Sequence, residues 1–249
     1  MTLNEELVKV SHWLIANKLS LNVKKSNALL FRTKNESSSP KINLKLNGVP
    51  VEEKRTTKYL GVILDHKLIY GDHIKQVKSR LIKGNVILAK VRHYIPHKLL
   101  ANTYYAHIQP HIDYGLNIWG RAAKIHLEDV VRQQKKSVRI MNFKNKHHES
   151  TPLFKQSKLL PIECIIKFNS GKLLWKINNS LCPSLNSLFT KRQHDNSYHV
   201  PHKRLDVSQN SITYDGVKSW NAIPSQIRSC SSINLFKTKY KEYLLNNLH

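Results

Sequence analysis

The residues of this 249-residue sequence that could hold a metal or attack a substrate are fourteen histidines, three cysteines and sixteen acids. His107 and His111 stand four apart with Asp113 nearby, a spacing that would put two imidazoles on one face of a helix. A fixed zinc site needs three or four converging ligands, no HExxH accompanies the pair, and Pro110 interrupts the helix between them. Ordinary histidines are therefore the preferred reading, and His147-His148, in a polar stretch, fares no better. No metal-ligating residue is assigned. Cys164, Cys182 and Cys230 are odd in number and widely spaced, which supports neither a disulfide framework nor a Cys-rich zinc site and suits a reducing compartment. Neither GxSxG nor a P-loop occurs. Glu5-Glu6 and Glu52-Glu53 read as a helix start and a hairpin end, not as carboxylates gathered around two Mg²⁺ ions.

Positive charge is what the sequence has in excess. Forty-one Lys+Arg against sixteen Asp+Glu leave a formal charge of +25, a self-repulsion that points to a polyanionic partner. Residues 66–148 hold sixteen Lys+Arg and four Asp+Glu, about half of that excess in a third of the chain. The candidate phosphate contacts there are Lys75, Lys78, Lys83, Lys90 and Arg92, then Arg132, Lys135 and Lys136. Tyr94, Tyr104 and Tyr105 lie beside them, and aromatic faces stack on unpaired bases. The opening MTLNEELVKVSHWL has acids where a signal peptide needs a basic flank, and no eighteen-residue apolar run occurs. These features argue against secretion and membrane spanning and for the nucleus or cytoplasm.

Several elements must position these residues. At 40% apolar content the chain can build a real core. Thr2 and Glu5 at capping-box spacing, with Leu3, Leu7, Val10 and Leu14, predict a helix over about 2–18. A buried strand ending at Arg32, a polar loop at 34–40, an alternating Ile42, Leu44, Leu46 segment turning at Asn47-Gly48, and KYLGVILD as one more strand predict a small antiparallel sheet over 27–65. Beyond Asp65 the period changes: Ile74, Val77, Leu81, Leu88, Val91 and Ile95 form one helical stripe. A second helix follows from about Lys98, with a kink or break at Pro110, and a third covers Ile125–Met141. Residues 144–152 mark the best domain boundary. Helices are then expected in LPIECIIKFNSGKLLWKI, over Thr213–Trp220 and over Ser232–Leu245.

The run WLIANKLSLNVKKSNALLF resembles the segment that follows the catalytic YxDD strand in reverse transcriptases of non-LTR retrotransposons, with Trp13, Leu14, Asn17, Leu19, Leu21, Asn22, Lys25 and Ser26 at matching positions. KYLGVILD is similar to the family's YLG primer-grip strand, DYGLNIWG at Asp113–Gly120 to its DYG...WG signature, and SWNAIPSQIRSCSSINLFKTKYKEYL to the tail of jockey-like elements. The resemblance runs in order along nearly the whole chain.

It implies an α+β, mostly helical fold in three parts: the C-terminal part of the palm with the primer-grip strand at 1–65, a helical thumb at 66–148 and a post-thumb region at 149–249. It places Lys25, with Lys24 as the neighbouring alternative, where the family carries a lysine that protonates departing pyrophosphate, a role vestigial here because the sequence has no YxDD pair. Leu60 and Gly61 would form the turn through which backbone approaches the primer end. Trp13, Trp119 and Trp220 would be core anchors. The implied partner is an RNA template or RNA/DNA hybrid, gripped through its phosphates, together with the upstream polymerase portion. The Mg²⁺ of the complete family enzyme would not be bound by this chain, which alone should be inactive. The other readings are an orphan remnant of a degenerate element, or a nuclease, for which no acid cluster exists.

Overall fold

A computed structural model describes residues 3–31, 43–192 and 195–248. Helix takes 58% of the described residues and strand 8%, an α+β and mostly helical fold as expected. The chain divides into two compact units, 1–73 and 74–249, the division falling in the first turn of a long helix. Thr2, Arg32, the 34–40 loop and Ile42, which the sequence reading used, lie outside the described residues.

The first unit opens with α1, Leu3–Ala16, whose first turn carries Glu5 and Glu6 against the positive end of the helix dipole. A 3₁₀ turn follows at Val23–Lys25, capped by the Asn22 side chain. The expected single antiparallel sheet is instead three two-stranded ladders. β1, Asn27–Ala28, pairs with β4, Glu52–Glu53, in parallel, so Glu52-Glu53 is no hairpin end. β2, Lys45–Leu46, pairs with β3, Val49–Pro50, around Asn47-Gly48. Both turn residues have positive φ, +52° and +79°, the conformation a type I′ turn requires and the reason Asn-Gly marks such hairpins. KYLGVILD is not one strand but a hairpin: β5, Thr56–Tyr59, turns at Leu60-Gly61 into β6, Val62–Asp65.

Hydrogen bonds tie α1 to the β2–β3 hairpin. Lys45 N–H donates to Asn4 Oδ1 at 3.0 Å, Asn4 Nδ2 to the Asn43 carbonyl at 3.1 Å, and Ser11 Oγ to Asn47 Oδ1. Asp65 then organises the exit: its carboxylate accepts from the backbone N–H groups of Lys67, Ile69 and Tyr70, folding 66–70 into a turn that feeds α2.

The second unit is helical. It comprises α2 (Gly71–Val91), α3 (His97–His107), α4 (Gln109–Asp113), α5 (Leu116–Trp119), α6 (Lys124–Met141), α7 (Thr151–Gln156) and α8 (Ile162–Asn178). After these come α9 (Pro183–Asn186), α10 (Asp206–Gln209), a π-helical turn at Ile212–Gly216, α11 (Val217–Asn221), α12 (Ser225–Arg228) and α13 (Ile233–Asn246). Pro110 breaks the chain between α3 and α4, as its missing N–H dictates, and sits in the first turn of α4 where that loss is harmless.

The core is apolar and aromatic, with Trp119, Trp220, Tyr104 and Phe236 fully buried. Trp13 departs from the expected anchor role: it is 60% exposed, because no described element covers its face of α1. Two buried polar groups join helices inside this core, and a third braces a loop. Gln134 Nε2 donates to Tyr104 Oη and the Leu160 carbonyl, and its Oε1 accepts from Ile162 N–H at 2.8 Å. Arg121, whose side chain is only 6% exposed, donates to Asp215, Ser170 Oγ and the Asn117 carbonyl, linking α5, α8 and the π-helical turn. Burial pulls its guanidinium below the usual range and Asp215 partly restores it. Arg228 Nε donates to the Ile223 carbonyl beneath α12.

Candidate nucleic-acid interface

The basic residues expected to meet phosphate collect on two neighbouring helices. Ile74, Val77, Leu81 and Leu88 are buried along one side of α2. At 100° per residue, Lys75, Lys83 and Lys90 fall on the opposite side, and all three are exposed. In α6, Val130, Gln134, Ser137, Val138 and Met141 face inward. The same geometry puts Arg132, Lys135, Lys136 and Arg139 outward.

Three cross-links set these helices side by side. Lys78 Nζ donates to Asp129 Oδ2 at 2.9 Å. One heptad further, Asn85 Nδ2 donates to the carbonyl and Oε1 of Gln133, and Ser137 Oγ donates to Asn85 Oδ1 at 2.7 Å. Another heptad on, just past both helix ends, the Arg92 guanidinium lies over the Phe143 ring at 5.1 Å. Contacts advance in the same direction along both helices, so α2 and α6 run parallel and their lysine-bearing outer faces ascend together.

Two expected contacts are already engaged within the protein. Lys78 is half-buried in its pair with Asp129, and its hydrogen bond holds the Asp129 carboxyl below the ordinary 3.8, with the charges of Lys78 and Arg132 adding to the effect. Arg132 lies 3.0 Å from Glu128 and 3.7 Å from Asp129. Lys83, Lys90, Lys135 and Lys136 are exposed lysines for which no pairing is seen among the described residues. The remaining expected residues belong to the first unit. Lys24 and Lys25 are exposed in the 3₁₀ turn. Leu60 and Gly61 form the tip of the β5–β6 hairpin with φ of +45° and +84°, a type I′ pair in which leucine occupies a position that favours Asn or Gly. Leu60 is 74% exposed and Tyr59 63%.

The metal candidates gain nothing. Asp113 accepts from Gln109 and Asn169 side chains. Burial, then the charges of Arg80 and His107, keep the His111 imidazole below its usual range. No three His, Cys, Asp or Glu side chains converge among the described residues. No helix among them is long and apolar enough to cross a membrane.

The sequence reading missed Phe143. It ends α6 at the position after the C-cap with φ of +54°, where glycine is the norm. The one signal was negative: NFKN stands where a helix of this length would ordinarily stop at glycine.

The two helices thus run parallel with cationic outer faces in a basic, mostly helical second unit. No family model and no solved structure matches the chain, but curated proteins do. The chain is similar to the probable RNA-directed DNA polymerase from transposon X-element of Drosophila melanogaster, 26% identical over 184 residues, which cover 72% of this chain and 20% of that protein. It is also similar to the RNA-directed DNA polymerase from mobile element jockey, 28% identical over 141 residues in both Drosophila melanogaster and Drosophila funebris, covering 55% of this chain and 15% of theirs. The curated homologues of this chain are thus reverse transcriptases of non-LTR retrotransposons. It spans a fifth or less of their length.

Proposed function

We propose that this chain is the C-terminal part of a non-LTR reverse transcriptase and that its thumb, residues 66–148, grips an RNA template or RNA/DNA hybrid by the phosphate backbone. The observation that carries the reading is the parallel α2–α6 pair, which gathers Lys75, Lys83, Lys90, Lys135 and Lys136 on exposed faces while Lys78 and Asp129 clamp the helices together. Such faces suit an A-form duplex, which is recognised by shape and backbone and needs no base-reading side chains. On this reading residues 1–65 are the end of the palm, the Leu60-Gly61 tip is its primer grip, Lys25 is the vestigial acid, and 149–249 is the post-thumb region. The Mg²⁺ and its aspartates belong to the upstream polymerase portion, and the protein works inside the cell.

A second reading is an orphan remnant without a biochemical role, in keeping with a first unit that buries only two apolar side chains, Leu46 and Val62, among the described residues. Binding of the full chain to RNA/DNA hybrid, duplex DNA and single-stranded RNA, followed by fluorescence anisotropy, separates the two. The thumb reading predicts preference for hybrid or RNA, and a Lys83/Lys90/Lys135/Lys136→Glu variant that keeps its circular dichroism and loses binding. Equal weak binding to every polyanion, or no effect of the four substitutions, would reject it.

A further inference from the structure

Phe143 combines three features that its place at the end of α6 does not require. Its N–H donates to the Ile140 carbonyl and the next N–H, of Lys144, donates to the Arg139 carbonyl at 2.9 Å, the two bonds of a Schellman motif. That motif puts residue 143 in the left-handed region, where a side chain is strained and glycine is free. The strain is not offset by burial, since Phe143 is 51% exposed. Finally, Arg92 stands over the ring at 5.1 Å and His93 meets it edge-on at 5.6 Å, while Tyr94, 88% exposed, follows His93 in the chain.

We propose that Phe143, with Arg92 behind it, is a stacking platform for an unpaired RNA base where single strand leaves the duplex held on α2 and α6. This rests on the proposed function and adds the substrate feature that the lysines cannot read. Lysine contacts phosphate whatever the bases do, whereas an aromatic face gains its contact only from a base outside a duplex. A ring held rigidly at a helix end, with a guanidinium on it, is pre-organised for that purpose.

The test compares the full chain binding a blunt RNA/DNA hybrid and the same hybrid carrying a short single-stranded RNA extension, with 2-aminopurine in the extension as a stacking probe. Wild type should prefer the extended hybrid and quench the probe. Phe143→Gly should weaken binding of the extended hybrid about tenfold more than binding of the blunt one, abolish the quenching and leave the salt dependence unchanged, with circular dichroism as for wild type. Phe143→Trp should retain preference and quenching. If Phe143→Gly binds and quenches as wild type does, the platform is wrong and the phosphate grip stands. If wild type binds neither hybrid, the phosphate grip falls and the platform with it.

Discussion

Residues 3–31 and 43–73 bury two apolar side chains, Leu46 and Val62, while 74–248 bury a continuous set from Ile74 to Leu248. Both stretches have the apolar periodicity of packed elements. The difference is whether the chain itself supplies the covering layer. In the second unit α8 lies against α13, α11 and α5, and its Gly171 admits Tyr240 so closely that a Cβ there would sit 2.6 Å from the ring. In the first unit α1 buries only Ser11 and leaves Leu3 and Val10 of its apolar stripe open. An amphipathic pattern therefore records that a face is meant to be covered and is silent on what covers it.

The tryptophans break or sharpen this contrast most strongly. Trp119→Ala or Trp220→Ala, each removing a fully buried ring, should cost about 3–5 kcal/mol, whereas Trp13→Ala should change stability by less than about 0.5 kcal/mol. Chemical denaturation of the three variants measures both. A large loss for Trp13→Ala would mean that the first unit has a core of its own. Next comes Gln134→Ala, which strands the buried Tyr104 hydroxyl, Leu160 carbonyl and Ile162 N–H and should cost about 2–3 kcal/mol by leaving polar groups without partners. An equilibrium melt showing a neutral effect would place water at that junction.

Smaller effects follow. Leu60→Asn should stabilise the β5–β6 hairpin by up to about 1 kcal/mol, since asparagine tolerates the left-handed conformation that leucine resists. Slower hydrogen exchange at Val62 and Leu64 would show it, and no change would mean that the hairpin's strain is already relieved. The smallest expected effect is on pH dependence. The Asp129 carboxyl is held below 3.8 by Lys78, so its contribution is present above that value and lost as pH falls through its lowered folded-state pKa. The melting difference between wild type and Asp129→Asn should therefore be largest near neutrality and vanish in acid, and a constant difference would show that the Lys78 pair does not stabilise the fold.

Periodicity placed α2, α6, α8 and α13 to within a few residues, because each has one face against a core that this chain contains. Proline chemistry placed the α3–α4 break, and Asn47-Gly48 placed its hairpin. What escaped did so for physical reasons. Leu60 is not a residue that announces a turn, so the β5–β6 hairpin looked like one strand. The β1–β4 pairing is parallel and only two residues long, too short to leave a pattern. Gln134, Ser137, Asn85 and Arg121 are polar in sequence yet have buried side chains, since each satisfies backbone or side-chain groups from a neighbouring helix. At the candidate interface the lysines were legible as charges, while the pairing of Lys78 and Arg132 with acids depends on which helices meet and could not be read from either helix alone.

The salt dependence of binding tests the central claim most directly. With about six phosphates contacted, log affinity of the full chain for an RNA/DNA hybrid should fall with log salt at a slope near −5, and reversing Lys83, Lys90, Lys135 and Lys136 to glutamate should reduce that slope by about four. A wild-type slope near zero, or one that the four reversals leave unchanged, would contradict the assignment of phosphate binding to α2 and α6.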